Sequence, residues 1–290
     1  MSQSRKRHQL TITSQQMSQN QGNRPREQKQ ESNFCFYATL LDAFQNYLDT
    51  DELWERFWGH ADDPKMTYDE YADKQFVEII NRINRVPFTN DAVEKGTAFN
   101  NIVDMLLDGK TDNGQFLLQT DDEKQLITIS ERDIKVDDDG QPSETLINQR
   151  SFSLPVVREF VNYYEGAMKQ YFTKGVLNTC YGNVELYGFI DYLLPFSIHD
   201  MKTAKSYSAG SYRKHWQHIV YPFTLQQNGI NISSFEYNVT NFRETFTELY
   251  VFKPDRDIPR LRDMCERFIG FLLNHKDLIT DEKIFNYRKV

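Results

Sequence analysis

Three apolar runs at strand spacing, crowded between residues 176 and 205 and divided by two turn signals, constrain this chain more than any other feature. Residues 176–182 (VLNTCYG) and 184–194 (VELYGFIDYLL) flank a tight turn at Tyr181, Gly182 and Asn183. Pro195 and Ser197 mark the second turn, and residues 197–205 (SIHDMKTAK) read as a third strand. A helix is predicted over 211–227, two more strands in ISSFEYNV and ETFTELYVF, and a last helix over 258–273. Three antiparallel strands, a helix, two strands and a helix describe an α/β fold, a mixed β-sheet flanked by helices.

Upstream, residues 33–58 carry Phe36, Leu40, Leu41, Phe44, Tyr47 and Leu48 at helical spacing. A second helix is predicted over 67–83, and a third begins near Ala92 with Gly96, Phe99, Val103 and Leu106 on it. Residues 33–107 therefore read as an N-terminal helical cap. Residues 108–150 are acidic, with short strand-like runs between DNG and DDDG turns, and read as hairpin strands or a mobile flap. An amphipathic helix is predicted over 154–172, and the aromatics of FVNYYEGAMKQYF (160–172) read as core rather than as a base-stacking platform. Residues 151–290 complete the single domain 33–290. Residues 1–32 hold eight Gln and almost nothing large and apolar, so they read as a disordered tail.

Charge narrows the function classes. Thirty-four basic residues stand against 42 acidic ones, a net −8, which excludes wholesale cationic coating of nucleic acid or anionic membrane but leaves room for a local basic groove. Cys35, Cys180 and Cys265 are too far apart for a zinc or iron–sulfur motif, and an odd count supplies no disulfide framework, so a cytoplasmic protein is expected. No apolar run approaches the ~18 residues of a membrane helix, and the first ten residues lack the apolar stretch of a secretory signal.

Within the three-strand block, Asp191 lies near the end of the second strand, and Asp200 and Lys202 lie on the third. Strand alternation puts Asp200 and Lys202 on one face, with His199 and Met201 on the other, and the Pro195 turn brings Asp191 back beside Asp200. Two carboxylates so placed, with no arginine nearby in sequence, are costly unless a hard cation neutralises them. Lys202 beside them suits an attacking water or developing negative charge, and a site lysine of this kind is expected to add little to stability.

Gly188-Phe-Ile-Asp191, then Asp200-Met-Lys202-Thr203, then Gln217-His-Ile-Val-Tyr221 resembles the PD-(D/E)xK nuclease superfamily, in its RecB-type and lambda-exonuclease-like branch. Gln217 and Tyr221, four apart, share a helical face. Gly96-Thr-Ala-Phe-Asn100 resembles that branch's Gly-x-x-x-His motif, with Asn100 at the histidine position. The resemblance covers roughly residues 90–225. It implies a restriction-endonuclease-like core and a metal-dependent deoxyribonuclease, an exonuclease of recombination or repair like the small enzymes of bacteria, phages and prophages. It further implies that Asp191 and Asp200 bind Mg²⁺ or Mn²⁺ with the Met201 carbonyl, that Lys202 orients the water, and that Gln217 and Tyr221 position phosphate or the lysine. An amide oxygen at Asn100 also suits a hard ion, and Asp104 lies one turn further on.

Thr203, Lys205, Ser206, Arg213 and Lys214 form a candidate phosphate-binding stretch that opens the next helix. The bland reading is a solvated charged turn. His215 and His218, without a third ligand, read as surface or stacking residues. DNA is the expected partner, and a homo-oligomer or a separate recombination protein is left open. A catalytically inert DNA- or protein-binding homologue is the alternative, favoured by Asn100 in place of histidine.

Overall fold

The computed structural model describes residues 32–136 and 142–285; the segment read as a Gln-rich tail lies outside them, save Ser32. Strand β1 (Phe34–Tyr37) opens the chain, and α1 (Ala38–Leu48), α2 (Thr50–Trp58), α3 (Tyr68–Ile83) and α4 (Asp91–Leu107) follow. Next come β2 (Phe116–Asp121), β3 (Leu126–Val136), β4 (Pro142–Ser153), α5 (Leu154–Tyr163), β5 (Met168–Thr179), β6 (Gly182–Leu193) and β7 (Ser197–Thr203). The chain ends with α6 (Gln217–Gln227), β8 (Ser234–Thr240), β9 (Thr245–Val251), α7 (Pro254–Asn274) and two short 3₁₀ turns.

The larger sheet is mixed and centred on β6. β5 pairs antiparallel along the whole of β6, from Met168 opposite Leu193 to Thr179 opposite Gly182. On the other side β6 divides its length. Its first half carries β1 in parallel, Phe34 opposite Val184 through Tyr37 opposite Tyr187, and its last two residues carry β7, Tyr192 opposite His199 and Leu193 opposite Ile198. β7 then leaves β6 and runs parallel to β8, which pairs antiparallel with β9. The result is a fork between β6 and β7, opening just beyond their hairpin.

Two apolar cores flank this sheet. One joins α1, α3, α6 and α7 through Phe36, Leu41, Phe44, Ile79, Val220, Phe235, Leu261 and Phe268. Helix α6 is buried from Gln217 to Leu225 on all sides, as a helix sandwiched between sheet and helix must be, so its polar residues need internal partners. The second core joins α4 and α5 to the antiparallel sheet β2-β3-β4 through Phe99, Val103, Ile127, Phe152, Val157 and Phe160. Tyr192 and Met201 of the main sheet reach into it. The helices read as one cap thus divide, α1 and α3 to the first core and α4 to the second.

Three predicted helices change their bounds. Residues 34–37 are a strand because FCFY buries alternate positions, Phe34 and Phe36, and a four-residue apolar run fits either period until an open strand edge settles it. The helix expected over 154–172 stops at Tyr163; Gly166 then takes φ +81°, which only glycine adopts freely, and Met168 starts β5. The helix expected from 211 starts at Gln217, because residues 210–216 are held in a loop by distant carboxylates. The 108–150 segment supplies β2, β3 and most of β4; its residues 137–141 lie outside the described residues.

Candidate active site

The site sits at the β6–β7 fork. Asp191 Oδ2 accepts the Met201 backbone N–H across it at 3.3 Å, and its Oδ1 accepts from Gln170 Nε2 at 3.4 Å. Extending the β6–β7 register by one pair sets Asp191 opposite Asp200. Asp200 is 3% exposed; its Oδ1 accepts from Gln217 Nε2 at 2.7 Å, and its Oδ2 faces Lys202 Nζ at 2.6 Å without the alignment of a hydrogen bond. Lys202 Nζ donates to Gln217 Oε1 at 3.0 Å, which closes an Asp200–Gln217–Lys202 triangle. The buried amide of Gln217 therefore spends its donor on the carboxylate and its acceptor on the ammonium.

Tyr221, one turn along α6, explains the glycine of Gly-x-x-Asp. A Cβ on Gly188 would lie 2.7 Å from Tyr221 Cε1 and 2.9 Å from its hydroxyl, so only glycine admits the ring there. Burial, then the Asp200 charge, pushes the Tyr221 hydroxyl far above its ordinary value, and it stays a neutral phenol.

Burial first, and the Asp200 charge second, raise the Asp191 carboxyl well above the usual carboxylate range, against the opposing pull of Lys202. Burial opposes the charge on Lys202, but Asp200 and then Asp191 outweigh it and lift the ammonium above its ordinary value. One fixed positive charge thus faces two crowded carboxylates.

Helix α4 spans the fork. A Cβ on Gly96 would meet Thr203 Oγ1 of β7 at 2.6 Å, and Asp104 Oδ1 accepts from Tyr192 of β6 at 2.9 Å. Asn100 lies one turn from each on the same helical face, and its Oδ1 is buried without a hydrogen-bond partner. Asp104 holds Tyr192 through Oδ1, and burial raises its carboxyl. An orphaned amide oxygen on the helix that spans the fork and two crowded carboxylates at the fork are all oxygen acceptors, the donor chemistry of Mg²⁺ or Mn²⁺. Among the described residues no group of three or more His, Cys, Asp and Glu is arranged to hold a metal, so a third ligand beside the two carboxylates would come from an amide or a backbone carbonyl. A cavity of about 410 Å³ opens alongside, lined by Asn101, Asp104, Lys169 and Gln170 among others.

The stretch expected to bind phosphate is largely committed elsewhere. Glu248 accepts the backbone N–H groups of Gly210, Ser211 and Tyr212 at 2.8, 3.0 and 3.3 Å. Asp42 accepts the Trp216 N–H at the start of α6 and lies 3.4 Å from His215 Nδ1. Protein carboxylates thus fill the anion positions of this loop and helix end. Lys214 pairs with Asp49 at 3.0 Å and Glu52 at 2.5 Å, and Thr203 is half-buried against Gly96, which leaves Lys205, Ser206 and Arg213 exposed. His218 is no surface residue: it is buried, stacks on Tyr250 at 4.2 Å, and burial pushes it down to about 4.

Sequence reasoning missed Gln170, Asp42 and Glu248. Gln170 lay inside a predicted helix, whereas it holds φ +49° in β5 and reaches Asp191. Asp42 and Glu248 act on residues 174 and 36–38 positions away, with no local pattern to reveal them.

No family model matches the chain, and no curated protein matches it. Among solved structures, the crystal structure of SSO0001 is similar with a TM-score of 0.32 and 10% identity over 40% of this chain. The chain spans 55% of that structure's length.

Proposed function

We propose that this chain is a metal-dependent nuclease of the PD-(D/E)xK type, with a restriction-endonuclease-like core, that hydrolyses DNA phosphodiester bonds as an exonuclease of recombination or repair in the cytoplasm. The observation that carries this reading is the pairing of two crowded carboxylates, Asp191 and Asp200, with Lys202 at a strand fork. Asp191, Asp200, Asn100 Oδ1 and the Met201 carbonyl are the residues that would hold Mg²⁺ or Mn²⁺. When bound, such an ion supplies a Lewis acid for the scissile phosphate and a more acidic water.

The rest of the chemistry falls to the chain. Lys202, kept protonated by its two carboxylates, orients the attacking water and balances charge that builds on the phosphate. Gln217 holds Lys202 and Asp200 in fixed register, and Tyr221 locks α6 against β6 through Gly188. Exposed Lys205 and Arg213 are the cations left to meet the DNA backbone, and a second subunit or a recombination protein is the partner class that fits such an enzyme.

The test is a cleavage assay on end-labelled linear duplex, single-stranded and closed circular DNA with Mg²⁺, Mn²⁺ or EDTA, beside Asp200→Ala. Metal-dependent loss of linear DNA, with circles spared and the variant inactive, supports the exonuclease. Nicked circles shift the reading to an endonuclease. Asn100 in place of histidine favours a second reading, an inert DNA- or protein-binding homologue, and DNA binding without cleavage in either metal would establish it.

A further inference from the structure

The outer face of β5 and β6 carries an aromatic ladder that starts at the site. Alternation along β6 sends Tyr187 and Phe189 to one side, at a two-residue step of about 6.6 Å. On β5 their counterparts are Lys174 and Phe172. Gln170, two residues from Phe172 and exposed like it, donates to Asp191; the Phe172 and Phe189 rings lie 5.1 Å apart, and Phe172 lies 6.5 Å from Tyr187. Tyr187 then meets Tyr37 at 6.1 Å, and the Arg85 guanidinium sits 5.1 Å over Tyr37 while donating to the Tyr187 hydroxyl. Phe172 is 48% exposed and Phe189 54%, so two large apolar rings side by side meet water.

Such a pair on a sheet face is a liability in a monomer unless something covers it. The cover has to suit π-faces in a row, cations at the far end and a phosphodiester site at the near end. Lys174 and Arg85 supply those cations; each is paired with a more buried carboxylate, Glu185 and Asp281, but keeps about half of its own side chain exposed, where a phosphate can share it. Duplex bases already stack on each other and hide their faces, whereas an unpaired strand offers every base to an aromatic ring. We propose that the Phe172–Phe189 face stacks the bases of an unpaired nucleic-acid strand whose backbone continues to Asp191. This rests on the nuclease reading of the site and narrows its substrate to strands with an unpaired segment.

The test uses full-length protein in EDTA and the anisotropy of a labelled oligo-dT of about twelve nucleotides, within the span such surfaces cover. Phe172→Ala with Phe189→Ala should weaken binding about tenfold or more with an unchanged melting temperature, and Phe189→Trp should keep it. An abasic oligomer of the same length should bind wild type as weakly as oligo-dT binds the double variant. Equal binding of oligo-dT by wild type and double variant overturns the proposal, as does equal binding of abasic and dT strands by wild type. A wild-type dimer that the double variant converts to monomer in sedimentation gives the face to a second copy, which also overturns it. Because no metal is present, this arm is independent of cleavage. A double variant that cleaves and binds like wild type removes the platform and leaves the nuclease; a protein that never cleaves but needs both rings to bind removes the nuclease and keeps the platform.

Discussion

The ring of Tyr221 occupies the space where Gly188 would carry a Cβ, 2.7 Å from Cε1, and this contact ties α6 to the strand that bears Asp191. The neighbour is a buried aromatic ring rather than a flexible chain end, so it has little room to yield.

Gly188→Ala should therefore destabilise the fold by about 1–3 kcal/mol, the usual range for overpacking a core. Thermal melting measures it. Tyr221→Phe leaves Cε1 in place and should not rescue the alanine, whereas Tyr221→Ala should make Gly188→Ala nearly neutral in the double variant. Additive losses in that pair would sink the contact as the cause.

Lys202 is more than a reacting group. From sequence it was expected to contribute little to stability, but its Nζ lies 2.6 Å from a carboxylate that is 3% exposed, so its removal strands a buried charge. Lys202→Ala should abolish metal-dependent cleavage and also cost about 2–3 kcal/mol, somewhat below a fully buried pair because Lys202 keeps a quarter of its surface. Adding Asp200→Asn to it should return most of that stability and none of the activity. Denaturant melts of the three proteins check it.

What could be read from the residues was local. Strand alternation put Asp200 and Lys202 on one face, and helical spacing put Gln217 beside Tyr221; both relations span four positions or fewer. What could not be read depended on partners far along the chain. Phe34–Tyr37 is a strand because residues 184–187 leave it an open edge, and the end of α5 is set by the pairing of β5 with β6 as much as by Gly166. The loop expected to receive phosphate is filled by Glu248 and Asp42, and no local spacing announces a carboxylate from another element. Phe172 belonged to a segment read as core; its neighbours Phe160 and Tyr164 are core, and it alone of the three emerges where the helix gives way to a strand.

The raised Asp191 carboxyl makes a pH prediction with a definite sign. Its folded value exceeds its unfolded one, so between the two the folded protein binds the extra proton, and metal-free stability falls as pH rises through that window. Asp191→Asn removes this liability. The variant should gain stability over wild type at pH 8 without metal, and the gain should shrink as pH falls toward the ordinary carboxylate range. A difference between the two melting curves that is flat with pH would mean Asp191 does not carry the shift.

Asn100 gives the sharpest separation of ligand from structural residue. Its Oδ1 is a buried acceptor with no donor, a state that costs about 1–3 kcal/mol when nothing completes it. Mg²⁺ or Mn²⁺ that binds only the folded protein raises the melting temperature in proportion to RT ln(1 + [L]/Kd). Wild type should therefore melt higher in millimolar Mn²⁺ than in EDTA, and Asn100→Ala should lose most of that increment while its melting temperature in EDTA changes little. Asn100→His should keep the increment with Mn²⁺, which accepts imidazole, and reduce it with Mg²⁺, which prefers oxygen. An increment equal in all three proteins would place Asn100 outside the cation's reach and leave Asp191 and Asp200 to hold it alone.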